Sequence, residues 1–344
     1  MNSSDLQTAL AATASADLSH ATAEKPLKIF LAGHLGMVGS SLLRLLQPLP
    51  QLQLILRTKA ELDLTRQAEV EQLFDREKPD WVIIAAAKVG GIVANQTLPA
   101  DFIYQNLMIE TNIIHSSAVH GVKRLMMLGS SCIYPKFASQ PMTEDALLSG
   151  ALEPTNEPYA LAKIAGIKMC ESYFRQYGCD FRAVMPTNLY GPWDNFHPQY
   201  SHVIPGLMQR LHQAKLANAA AVNIWGTGQA KREFLHVDDV ARAVWLLLQL
   251  DSDVYQSITT AEQRHINIGS GVDIQISELA AQMAAVMGYQ GQLQFDSSQP
   301  EGSPRKLLHV GKLNALGWQP QIELTAGLTD TYQWFLQHQH DLRQ

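Results

Sequence analysis

The chain has 344 residues, 46% hydrophobic and 17% charged, which supplies a sizeable core and leaves too little charge for a disordered polymer. Its net charge of -6 argues against nucleic acid or an anionic membrane surface as the main partner. Three cysteines, Cys132, Cys170 and Cys179, are odd in number and lack metal-type spacing, so no disulfide framework and no metal are expected, and a reducing compartment fits.

The first 24 residues are rich in Ala, Ser and Thr, contain no Lys or Arg and include Asp5, Asp17 and Glu24. A secretory signal needs a basic start and an apolar middle, and a mitochondrial presequence needs arginines, so residues 1–25 read as a disordered leader. Nothing downstream approaches the roughly 20 apolar residues of a membrane span. From there short apolar runs alternate with helical periods. The alternation predicts strands at 27–32, 52–56, from Trp81, at 124–129 and at 181–185, with helices at 36–46, 67–74, 99–120 and 159–177 between them. Gly121 and Gly178 stand where helix C-terminal glycines belong. Beyond Pro186 the pattern fades into PTNLYGPWDNFHPQYSHVIP, a loop-rich stretch suited to a binding surface. Helices at 238–250, 276–287 and 326–337 and a strand at 265–269 complete the chain. This is the pattern of a doubly wound parallel sheet, α/β in class, whose ligands bind beyond the carboxyl ends of the strands.

The chemistry-bearing residues follow strands. Gly33, Gly36 and Gly39 form a GxxGxxG turn between the first strand and the first helix, which also carries Met37 and Val38. Such glycines allow a tight turn, close approach of a pyrophosphate and close helix packing, the fingerprint of a Rossmann dinucleotide site. An NAD site usually has an acid at the end of the second strand; here Arg57-Thr58-Lys59 follows it, which favours the 2′-phosphate of NADP. Asp63 and Leu64 lie where an adenine would be edged, and Ala85, Ala86 and Lys88 where the third strand passes beneath the dinucleotide. Tyr159 and Lys163 are four apart on a predicted helix and share a face, so the ammonium is expected to lower the phenol's pKa.

Joined to the glycine turn and to Ser130 after the fourth strand, that pair resembles the Ser-Tyr-Lys pattern of the extended short-chain dehydrogenase/reductase superfamily. Dehydratases of that superfamily usually carry an acid two residues beyond the serine, whereas this chain reads GSSCIYP, with Cys132. Together with GHLGMVGS, AAAKVGGI, EPTNEPYALAKIAG, MPTNLYGPWDNFHP, SHVIP and REFLHVDD, it is similar to the GDP-L-fucose synthase family of dual epimerase-reductases, from about Lys28 to Phe335.

The resemblance implies NADPH as cofactor and a GDP-4-keto-6-deoxy sugar as substrate, with Cys132 and His202 as the acid/base pair and Ser130, Tyr159 and Lys163 as the reductive set. It places Leu128, Pro186, Asn188 and Leu189 along the cofactor and Arg210, Trp225, Arg232 and Glu301 along the GDP-sugar, and it implies a cytoplasmic homodimer built on the helices at 99–120 and 159–177. Leu35 stands where that family often has Arg. The expected division is a leader at 1–25, a cofactor domain at 26–190 plus about 233–262, and a smaller α/β GDP-sugar domain at about 191–232 plus 263–340. Two rival readings remain open: an NAD-dependent nucleotide-sugar 4-epimerase, and a non-catalytic dinucleotide-sensing scaffold.

Overall fold

A strand that is apolar at nearly every position is stable only when both of its faces are covered, and the predicted strands meet that condition. The structure, a computed structural model, describes residues 16–197, 200–299 and 302–340. Strands β1 (Leu27–Ala32), β2 (Leu52–Ile55), β3 (Trp81–Ile84), β4 (Arg124–Leu128), β5 (Asp180–Pro186) and β9 (His265–Ile268) form a six-stranded parallel sheet in the order β2-β1-β3-β4-β5-β9. Alternate residues divide between two cores. Phe30, Val82, Ile84, Leu125, Met127 and Ala183 pack with Val70, Phe74, Ile113 and Ile167 of the helices Gln67–Glu77, Pro99–Val119 and Glu157–Tyr177. Ile29, Leu31, Trp81, Ile83, Met126 and Val184 face the helices Met37–Leu46 and Val237–Gln249 through Leu42, Leu46, Val240, Val244 and Leu247. Full burial of each such side chain stabilises the fold by about 1.5–3 kcal/mol, so slipping any strand by one residue would swap its two faces.

The order in which strands are added reverses between β1 and β3, which opens a crevice at the carboxyl ends of these strands. At the other end, Arg182 donates to Leu247 O and Leu250 O and Arg124 to Leu248 O, so the last carbonyls of the helix Val237–Gln249 are capped by guanidinium groups paired with Asp180.

Two expectations change. The strand β9 (His265–Ile268), expected in the smaller domain, pairs with β5 as the sixth strand of the large sheet, because Ile266 and Ile268 supply the apolar side chains its face requires. The leader is not wholly unstructured where it is described. Ala16–Ser19 forms a helical turn, and Leu18 and Ala21 pack against the second core; residues 1–15 lie outside the described residues.

The smaller lobe takes only β6 (Asn188–Tyr190) and the start of its first helix from the stretch expected to be loop-rich. Here β6, β8 (Lys231–His236), β10 (Asp273–Gln275) and β12 (Arg305–Lys306) form one sheet, and β7 (Ala221–Trp225) pairs with β11 (Gln292–Asp296). The helices Val203–Leu216, Ile276–Met287 and Leu324–His338 cover them around Leu207, Leu211, Leu279, Met283, Leu328 and Phe335. Among the described residues no helix is long and apolar enough to cross a membrane.

Candidate active site

The glycine turn is set by space. Gly33 has φ +88, and a Cβ there would lie 2.6 Å from both the N and Cα of Ala86 and 2.8 Å from the carbonyl carbon of Ala85. A Cβ on Gly39 would come within 2.0 Å of Gly33 O, so the first helix turn rides directly on the loop. Gly36 N donates to Gly33 O at 2.9 Å, and no side chain caps the helix start at Met37 and Val38. A bare helix N-terminus against a turn held by glycines is a cradle for a pyrophosphate.

The cationic turn that follows β2 differs from its expected use. Arg57 reaches Glu77 at 2.5 Å and donates to Leu56 O at 2.7 Å, so its guanidinium is already held, while Lys59 is exposed. Glu61 accepts from the N and Oγ1 of Thr58, at 2.7 and 2.8 Å, and is thereby turned into its own loop. Asp63 likewise accepts from the N and Oγ1 of Thr65, bonds that hold its carboxyl below the usual carboxylate range. Leu64 O is fixed by Asn112 at 3.0 Å. Lys88 spans to Asp101 at 2.9 Å, and its backbone is held on both sides by Asn106.

The reductive set gathers where β4 meets the helix Glu157–Tyr177. Lys163 is almost wholly buried and donates to Leu128 O at 2.9 Å; its other partner is Glu110, 2.8 Å away on the helix Pro99–Val119. Desolvation pushes the Glu110 carboxyl up, opposed by the Lys163 charge. Gly166 makes room for this carboxylate, since a Cβ there would lie 2.5 Å from its Oε2.

Enclosure drives the Tyr159 phenol far above its ordinary range; Cys132 and Glu110 push the same way, and only a hydrogen bond with Ser130 opposes them. The expectation that Lys163 lowers this pKa is therefore corrected: the ammonium lies 5.9 Å from the ring centroid and is matched by Glu110. Burial thereby favours the neutral phenol at Tyr159.

Ser130 caps the short turn Ser131–Ile133 by accepting from Cys132 N at 3.3 Å. The Cys132 sulfur faces two donors from distant segments, Asn156 Nδ2 at 3.3 Å and Lys306 Nζ at 3.9 Å. Lys306 in turn stands in register with Arg232 on β8, so the lysine that touches the thiol and the arginine expected at the GDP-sugar share one strand pair.

His202 is the N-cap of the helix Val203–Leu216, 46% exposed, with Nδ1 3.9 Å from Asp194 Oδ1. Its segment is tied to the centre through Gly91, whose N donates to Tyr200 O at 2.8 Å, and through Gly90, which lies against Phe102; Phe102 meets Tyr159 edge-on at 6.3 Å. Arg210 lies 5.8 Å from the Trp225 ring and is held by Gly206 O and Asn223 O. Trp225 is 46% exposed and thus a surface ring rather than core.

Pro186 ends β5, Asn188 donates to Glu233 O at 2.8 Å and Leu189 packs on the second core. Glu301 lies outside the described residues. Spacing alone missed Glu110, Asn156, Asp194 and Lys306. Glu110 left a trace: it falls with Asn106, Ile113 and Ser117 on the buried stripe of its helix, where an acid needs a partner.

A doubly wound sheet with a glycine cradle and a Ser-Tyr-Lys centre defines a dinucleotide-dependent enzyme acting at a carbonyl. The pattern described as the NAD dependent epimerase/dehydratase family matches residues 29–269, and the chain belongs to that family. It is 57% identical over 316 residues to the GDP-L-fucose synthase of Escherichia coli (strain K12), covering 92% of this chain and 98% of that one. Among solved structures, a GDP-6-OMe-4-keto-L-xylo-heptose reductase from C. jejuni superposes with a TM-score of 0.86 at 37% identity, covering 91% of this chain and 98% of the other. A GDP-L-fucose synthetase from Naegleria fowleri bound to NADP does so with a TM-score of 0.81 at 25% identity, covering 92% and 96%.

Proposed function

We propose that the protein converts GDP-4-keto-6-deoxy-D-mannose to GDP-L-fucose by 3,5-epimerisation and NADPH-dependent 4-reduction. The observation that carries this reading is the 57% identity across 98% of a relative named for that activity. The residues at the centre agree with it. The C4 ketone makes the hydrogens at C3 and C5 acidic, so one thiol and one imidazole can invert both carbons by removing and returning protons. Cys132 and His202 are those groups. Ser130 and Tyr159 hydrogen-bond the carbonyl oxygen and stabilise the enolate as charge develops there. NADPH, when bound at the glycine turn, supplies the hydride for C4. Tyr159 gives the C4 oxygen its proton, which its raised pKa keeps in place until the oxygen turns basic. Lys163, fixed by Leu128 O and Glu110, is the group placed to hold the nicotinamide ribose. Arg210, Trp225, Arg232 and Glu301 are assigned to the GDP moiety.

In this reading the cofactor lobe is 26–190 with about 233–262 and the strand His265–Ile268, and the GDP-sugar lobe is the rest of 191–340. The exposed Tyr104, Val119, Leu161 and Tyr177 on the two long helices suit a homodimer seam, and a cytoplasmic location suits a nucleotide-sugar enzyme. The test is to incubate the protein with NADPH and GDP-4-keto-6-deoxymannose and to identify the sugar by NMR. GDP-L-fucose formed with one NADP per product is expected. A product uninverted at C3 and C5, or a nicotinamide that is never released, would overturn the proposal in favour of a simple reductase or a 4-epimerase.

A further inference from the structure

We infer that Asp194 is the positioning residue for His202, holding the imidazole so that Nδ1 faces the carboxylate and Nε2 is left for the substrate carbon. The inference rests on the epimerisation read above. Asp194 is a costly residue in its place: its side chain is only 4% exposed, Oδ1, the oxygen nearest His202, accepts only from Asn195 N at 2.7 Å, and Oδ2 has no hydrogen-bond partner among the described residues. A buried carboxylate left short of partners is destabilising unless a cation offsets it. The group facing it is the His202 ring, 3.9 Å away, within ion-pair range.

The carboxylate is also held rigidly. Trp193 packs on Trp334 and His338 with centroids 5.2 and 5.9 Å apart, and Phe196 packs on Trp334 and Phe335 at 6.0 and 5.0 Å. Aromatic anchors on either side of Asp194 thus clamp it to the C-terminal helix, and the half-exposed ring it faces has this fixed carboxylate on one side. Burial alone would lower the His202 pKa, yet Asp194 outweighs it and raises the pKa, which favours the protonated ring that returns a proton to carbon. An imidazole backed by a fixed carboxylate has one tautomer and one orientation.

Exchange of the C3 and C5 hydrogens is followed in deuterated water with GDP-4-keto-6-deoxymannose and NADP+, which isolates proton transfer from reduction. Asp194→Asn should slow exchange by about tenfold to a hundredfold, within the range of a general acid–base contribution. Asp194→Glu should recover part of that loss, and Asp194→Asn placed on His202→Ala should add nothing further. The His202 ring, followed by NMR, should titrate at lower pH in Asp194→Asn. Exchange at the unaltered rate, losses that multiply in the double variant, or an unshifted His202 titration would each overturn the inference. Absence of exchange in the unaltered protein would instead defeat the epimerase reading, and the His202 titration would still decide whether Asp194 is paired with the ring.

Discussion

The two halves of the site are held in opposite ways. Beneath the sheet's carboxyl edge Lys163 and Glu110 are buried and paired with each other, and Lys163 also donates to Leu128 O. On the side proposed to take the substrate, His202 and Trp225 are both 46% exposed and stand at a helix N-cap and a strand end. A hydride must reach one carbon in one geometry, whereas proton transfer must serve two carbons on either side of a ketone. Rigidity therefore belongs under the first and adjustable contacts beside the second.

Substitution can break that contrast. The largest effect is expected from Tyr159→Phe, which removes the proton for the C4 oxygen and should cut NADPH oxidation by about 10² to 10⁴. Exchange of C3 or C5 hydrogens with deuterated water should persist, and its complete loss would mean that the two halves share one group. Cys132→Ser should do the reverse, exchanging deuterium poorly while reducing the ketone slowly to sugars not inverted at C3 and C5. Glu110→Ala leaves Lys163 buried without its counter-charge, so denaturant unfolding should show a loss of about 3–5 kcal/mol; a loss below 1 kcal/mol would show that the pair is not the rigid element described.

Trp225→Ala should leave the melting temperature unchanged and raise the KM for the GDP-sugar about tenfold, the scale of a lost ring-on-base stack. An equal fall in kcat would place Trp225 nearer the chemistry than the exposed edge suggests. The smallest effect concerns the cofactor: Lys59→Glu should narrow the preference for NADPH over NADH by roughly 3- to 10-fold, as expected of one exposed charge contact. Arg57→Ala should change the preference less than Lys59→Glu, because Glu77 already holds that guanidinium.

What sequence spacing reveals is local. Gly33, Gly36, Gly39, Tyr159 and Lys163 are legible because each set works within one turn or one helix face. The large sheet is legible too, because strands such as WVII are buried at every position. Of the smaller lobe's strands, β7 and β11 are half exposed, as in the exposed-edged AVNIW, and β6, β10 and β12 are only two or three residues long, so they present no clear period. Partners across the fold leave no local mark: Cys132 and Lys306 are 174 residues apart and meet where the segment after Cys132 is joined to the Lys306 segment by the Met142–Leu308 bridge and by the bond from Leu307 N to Gln140. HINI reads as a strand in either lobe, and its place in the large sheet was settled by which edge needed Ile266 and Ile268. The ion pair of Arg57 with Glu77 leaves no local mark either, since Glu77 lies at the far end of the next helix.

The late strand β9 has a consequence for dividing the protein. After β6 has entered the smaller sheet and β8 has crossed it, the chain returns to the large sheet's helices and to β9, leaves again for β10 and β11, revisits the second core at Leu313 and Trp318, and ends on the smaller lobe's last helix. Neither lobe is therefore a continuous stretch of polypeptide. No single cut releases either one, a gene fragment encoding residues up to 190 would lack the sixth strand and its covering helix, and several chain crossings tether any rocking of one lobe on the other.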